Sequence, residues 1–295
     1  MATDRGYFPR ETSVLRAVHE ERAVGLMYGQ RALCIGALAP LNYVGTSEHT
    51  AGKLTPFRRL VRTAKAFESV IMGTREEADT VLAAVHRRHL HVNGVLPENA
   101  GPYTAGTPYD ALDPALMLWT VAVMMDSAEC FHDLLVRRLG GDQREALWSD
   151  YLRFGGLFGM PREAAPATYA GFRAYYEGVL ASDGVWLTDE ARYMGHASAF
   201  EIPMPPSAQA VKRVHDLIML GSLPPRVREL YGLRFTRAQA LAFAAATASA
   251  RAARRLTPGR SARGRNSRTF DTVAETEASR IAEGRPTPQL VPGRA

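Results

Sequence analysis

The amino-acid sequence predicts an all-α protein, and three observations carry that prediction. Apolar residues recur at three-four spacing through most of the first 255 positions, the stripe of an amphipathic helix. Start and stop residues bracket those stripes, as at Thr74 with Glu77 and at Asp113-Pro114. No run alternates apolar and polar residues for long enough to make a convincing strand.

A first long helix is expected over residues 13–38, ending before Pro40. Thr55-Pro56 opens a second, with proline tolerated in its first turn, and Gly73 closes it. Leu60, Ala64, Phe67 and Ile71 make its buried stripe, and Arg59 and Thr63, four apart, share one flank of it. A guanidinium beside a hydroxyl at a core boundary suits a carboxylate or an oxygen-derived ligand, and equally an ordinary surface arginine and helix threonine. Arg62 points away from the stripe.

The third helix, residues 75–92, is the most informative. Thr74 and Glu77 form a capping box, and Asn93-Gly94 supplies the stop. Ala78, Val81, Leu82, Val85, His89 and Val92 lie on one stripe, with His89 within about 40° of Val85 at ~100° per residue. His86 falls at the edge of that stripe and His91 on the opposite, solvent side. A ring aimed into a core needs partners for its nitrogens. The helix alone leaves two readings open: a neutral core histidine bonded to a carbonyl or hydroxyl, and a ligand to a metal or to haem iron.

Residues 94–112 read as a loop, and Asp113-Pro114 caps a helix over 114–138 that is apolar nearly all round and belongs at the centre. Asp126, Glu129 and His132 on it read as a buried polar seam between helices. Shorter helices are expected over 142–154, 166–181, 188–199, 208–221 and 236–255. From about Leu256 the chain is rich in Arg, Gly, Pro, Ser and Thr and reads as a disordered, basic tail, with a short helix possible near 270–281. The organisation is one helical domain, residues 1–255, and a flexible tail, residues 256–295.

Charge sharpens this division. The net charge is +6, yet residues 251–295 alone carry ten arginines against four acids, leaving 26 basic and 26 acidic residues in the body. A neutral body has no electrostatic footprint for nucleic acid. Two cysteines, Cys34 and Cys130, are too few for a disulfide framework and fit a reducing compartment. Residues 1–18 have no apolar core, and the most apolar run, 115–125, is far short of the ~20 residues that span a bilayer. No stable membrane insertion is expected, and the expected location is cytoplasmic. A Gly-rich phosphate loop and a Gly-x-Ser-x-Gly element are both absent, so nucleotide use and hydrolase chemistry have no support.

Several motifs follow one another along the chain: Arg59-Leu60-x-Arg62-Thr63, Gly73-Thr74, Val85-His86-x-x-His89-x-x-Val92-x-Gly94, Tyr103-x-Ala105, and Asp113-Pro114-x-Leu116-x-Leu118-Trp119. Together with Ala39-Pro40, Ser47-Glu48-His49-Thr50, Arg153-Phe154-Gly155 and Phe158-Gly159-Met160-Pro161, the series resembles the catalytic domain shared by rubber oxygenases (latex-clearing proteins) and MpaB, over most of residues 13–255. The resemblance implies a globin-like bundle that binds b-type haem, with His89 as proximal iron ligand and Arg59 and Thr63 beside the haem. It further implies attack by dioxygen on a carbon–carbon double bond, isoprenoid in the known members. The chain has Arg62 where the rubber-cleaving branch carries a lysine, and Val121 where many relatives carry histidine. With neither export signal nor anchor apparent, the expected substrate is a small apolar or isoprenoid-like molecule rather than polymeric rubber.

Three rivals stand beside this reading. One is a haem protein of other oxidative chemistry, such as hydroxylation. Another is a non-haem metal site using His86 and His89, and the last is a cofactor-free helical binding protein. Glu48 and His49, expected on a loop, are candidates for an acid or base.

Overall fold

The structure is a computed structural model that describes residues 6–49 and 55–288. Ser13 caps α1 (Val14–Glu20), its hydroxyl accepting from the Arg16 amide at 3.0 Å. After one residue the chain resumes as α2 (Arg22–Gly36). The single helix expected over 13–38 is therefore two. Glu21, between them, is extended (φ −65°, ψ 109°) and only 2% exposed. Its backbone pairs antiparallel with Arg263, a partner that no local periodicity announces.

Pro40 starts α3 (Pro40–Glu48), so Glu48 closes a helix and His49 caps it, rather than both lying on a loop. The next two helices, α4 (Pro56–Met72) and α5 (Arg75–His89), follow the expected caps. The Thr74 hydroxyl accepts from the Glu77 amide at 3.1 Å, and the Glu77 carboxylate accepts from the Thr74 amide at 3.2 Å. Helix α5 stops at His89, three residues short of the expected end. The region expected as a loop holds two antiparallel three-residue strands, β1 (Asn93–Val95) and β2 (Pro108–Asp110), too short to show alternation in sequence.

Asp113 caps α6 (Pro114–Leu135), accepting from the amides of Ala115 (2.7 Å) and Leu116 (3.2 Å). This helix is the centre of the fold, buried along nearly its whole length, with α2 packed along it. Around it lie α7 (Gly141–Leu157), α8 (Tyr169–Ala181), α9 (Asp189–Phe200), α10 (Gln209–Ser222), α11 (Pro225–Leu230) and α12 (Arg237–Leu256). The polar seam on α6 is real and is spent on arginines. Asp126 accepts from buried Arg31 at 2.6 Å and from Arg173 at 2.6 Å. Burial alone would raise the Asp126 pKa, but Arg31 and Arg173 outweigh it and hold the carboxyl below its usual value. Glu129 accepts from Arg144 (2.5 Å) and from the Tyr169 hydroxyl (2.7 Å).

The all-α class stands, but the segment expected to be a disordered tail is not one between residues 259 and 282. It forms α13 (Gly259–Ala262) and α14 (Ser267–Ala282), which contains the short helix expected near 270–281. Helix α14 packs on α4. Phe270 and Asn266 are buried, and the Glu277 carboxylate caps α4. Composition suggested disorder because few large apolar residues hold the segment. Its attachment is polar, through partners more than 190 residues away.

Candidate active site

The apolar stripes of α4 and α5 pack on the core at Ile71 and Ala78, as periodicity expects, and border a cavity along much of the rest. On α4, Leu60, Ala64 and Phe67 are half-buried, and the packed positions include Phe57, Val61, Val70 and Ile71. On α5 only Ala78 is buried; Val81, Leu82 and Val85 are half-buried. Between these faces and helices α2 and α6 lies a cavity of about 1500 Å³ with largely apolar walls. Ordinary ligand pockets occupy roughly 300–1,000 Å³, so this one has room for a bulky group together with a second molecule. Apolar surface left in water costs about 25 cal/mol per Å², so a cavity walled by two apolar helix faces suits an apolar ligand. Gly29, inside α2 on the same wall, fits that picture: a Cβ there would meet nothing within 4 Å.

His89, Arg59 and Thr63 all line this cavity. His89 is the last residue of α5, and its Nδ1 is buried with no hydrogen-bond partner among the described residues. Desolvation, helped by the nearby His86 and Arg88, lowers its pKa below the usual imidazole value. The shift favours the neutral ring, the form that ligates metals. Arg59 is half-buried, and burial pulls its pKa down, opposed by Tyr43. Arg59, Arg62 and Arg88 border the cavity without an ion-pair partner among the described residues. Arg62, expected to point away, is exposed at the cavity's edge. His91, exposed as its solvent-side phase predicts, borders it too.

Other expected groups separate from the site. His86 is exposed and does not border the cavity, so the two-histidine metal site on α5 is not assembled. No three His, Cys, Asp or Glu side chains come together as a ligand set among the described residues. His49 borders the cavity with its Nε2 3.3 Å from the Tyr109 hydroxyl, whereas Glu48 is not part of the wall. Sequence reasoning missed Tyr43, whose hydroxyl donates to Glu190 at 3.1 Å, and His215 of α10, held between Gln30 (2.7 Å) and Asp216 (3.0 Å). Neither lies in a motif that sets it apart from a surface helix residue. Val121, standing where many relatives carry histidine, is a buried apolar part of the wall.

The family model described as ER-bound oxygenase mpaB/B′/rubber oxygenase, catalytic domain, matches residues 16–252. The chain belongs to this family. The family is one of oxygenase catalytic domains, and its span contains α4, α5 and α6 and therefore His89, Arg59 and Thr63. An uncharacterized protein of Mycobacterium tuberculosis is 28% identical over 210 residues, covering 70% of this chain and 77% of the relative. A Mycobacterium bovis protein, also uncharacterized, matches to the same extent. No solved structure matches significantly. The family match stops inside α12, so α13 and α14 lie beyond it.

Proposed function

We propose that the protein is a haem b-dependent oxygenase that uses dioxygen to cleave a carbon–carbon double bond in a small apolar or isoprenoid-like molecule. The observation that carries the reading is His89, whose buried Nδ1 has no hydrogen-bond partner among the described residues and whose ring borders a large apolar cavity. A side chain that would hold haem iron has those properties, while a core histidine satisfied by a carbonyl or hydroxyl does not. The cavity volume suits a macrocycle with room to spare, and Arg59, Arg62 and Arg88 suit its acidic side groups. When bound, haem supplies the iron that activates dioxygen, chemistry no side chain performs alone.

The chain's own residues do the remainder. His89 would hold the group from the end of α5. Arg59 presents a fixed fork of donors and Thr63 one hydroxyl, and together they orient a carboxylate or a polar ligand atom. Leu60, Phe67, Val121 and Phe158 keep water from the same space. No single helix among the described residues is long and apolar enough to cross a membrane. Both cysteines are free, which supports a cytoplasmic setting.

The test is an absorbance spectrum of protein purified from haem-supplemented cells, with haemochrome quantitation, followed by alkenes and dioxygen. A Soret band with haem b near one per chain, and carbonyl products, are expected. Hydroxylated products would replace cleavage by another haem chemistry, and failure to take up haem would end the reading.

A further inference from the structure

Residues beyond the family match close one side of the cavity. Ala253, Arg254 and Thr257 at the end of α12, and Thr269, Phe270 and Val273 on α14, all border it. This segment is fastened by three carboxylates that are almost wholly buried: Glu21 (2% exposed), Glu68 (7%) and Glu277 (1%). Glu21 accepts from Arg254 at 2.5 and 2.8 Å and from Arg263 at 2.6 Å. Glu68 accepts from the Asn266 amide at 2.7 Å. Glu277 reaches the other way, accepting from the Thr55 hydroxyl (2.5 Å) and the Arg58 amide (3.0 Å) at the start of α4. Buried carboxylates are costly unless paired. Glu21 and Glu68 in the family domain therefore need the segment, and Glu277 in the segment needs the domain. The attachment forms one wall of the cavity, and it stands next to the helix that carries Arg59 and Thr63.

We propose that residues 253–288 form a specificity wall in which Phe270 and Val273 set how bulky an elongated apolar ligand the cavity admits. The proposal rests on the reading that the cavity is the substrate site, and it is independent of haem. Both side chains lie on one face of α14, three residues apart, so they present one continuous surface to the ligand. Phe270 is buried and Val273 half-buried, so enlarging Val273 uses cavity space whereas trimming Phe270 releases it.

The experiment titrates the full chain with a linear conjugated-polyene fatty acid, fluorescent in apolar sites, and with a pyrene-bearing analogue. Val273→Trp is expected to weaken both by about tenfold or more, and Phe270→Leu to tighten the pyrene analogue relative to the polyene. Thr269→Trp, on the same wall and exposed, carries the first prediction if Val273→Trp does not fold. Haem uptake, read from the Soret band, is expected to be unchanged in all three. Binding of both probes within about twofold of wild type in every variant, or no binding of either probe by the wild type, would overturn the proposal. Loss of the haem reading with these probe effects intact would leave it standing.

Discussion

Replacing His89 with leucine should stabilise the empty protein and disable the loaded one. A buried polar atom without a partner costs about 1–3 kcal/mol, and the His89 Nδ1 is such an atom. The ring as a whole is only half-buried, so the low end, about 1 kcal/mol, applies. Leucine continues the apolar face of α5 and is the better helix former. For a domain of this size 1 kcal/mol moves the melting temperature by roughly 2–4 °C, so the unloaded variant should melt about that much higher than wild type. With haem present the order should reverse. A ligand at 100 times its Kd stabilises the native state by about 2.7 kcal/mol, and leucine has no atom to offer iron. Differential scanning fluorimetry with and without haem, beside the Soret absorbance, reads both effects. His91→Ala is the control and should keep haem. If unloaded His89→Leu melts below wild type, the ring makes a stabilising bond and the ligand argument fails; haem retained at full occupancy by His89→Leu would refute it as directly.

Four further outcomes are expected. His19, fully buried against the Tyr151 hydroxyl at 2.7 Å and the edge of Tyr28, has its pKa pushed down by burial to about 3. Its stabilising effect is full above the unfolded value of ~6.5. It is then lost as pH falls towards about 3, because only the unfolded ring takes the proton. Urea titrations should show His19→Gln with a shallower pH slope in that window, and an identical slope would remove the assignment. Asp126→Asn leaves Arg31, 3% exposed, without its carboxylate and should cost about 3–5 kcal/mol in chemical denaturation, with much of the loss recovered by Asp126→Leu in combination with Arg31→Met. Gly29→Ala should stabilise the unloaded protein by about 0.5–1 kcal/mol, since its Cβ meets open space; a lower melting temperature would mean the space is not there. Glu277→Gln removes a negative charge from the α4 N-terminus and should cost about 1–2 kcal/mol by the same denaturation measurement, an effect absent if the cap is not formed in solution.

Much of the fold was legible because it is local. The Thr74–Glu77 capping box and the Asp113 cap are present bond for bond, and α6 lies at the centre as its all-round apolarity requires. The three residues singled out by pattern and resemblance, His89, Arg59 and Thr63, share one cavity wall. What periodicity could not say is what an apolar face meets. The stripes of α4 and α5 look the same in sequence whether they pack on protein or surround a ligand. Long-range polar pairing was equally silent. Glu21 breaks the first helix, and the last helix docks, through partners more than 190 residues apart in sequence. Arg62 and His91 are exposed as an ideal helical wheel has them, but such a wheel does not show that both border the cavity.

The distance between Glu21 and its partners also orders events in time. Arg254 and Arg263 lie 233 and 242 residues downstream, so during synthesis α1, α2 and α4 emerge long before the groups that satisfy them. Non-local pairing is slow because the chain must close a long loop before any contact rewards it, and chains fold from the N-terminal side as they leave the ribosome. The central bundle can gain its helices early, while the chamber is still open along one flank. Refolding should therefore show recovery of far-ultraviolet helix signal ahead of apolar-probe protection, and simultaneous recovery would refute that sequence. A ligand of the cavity would thus meet an open vestibule first and the completed wall last, which lets loading precede the docking of α14.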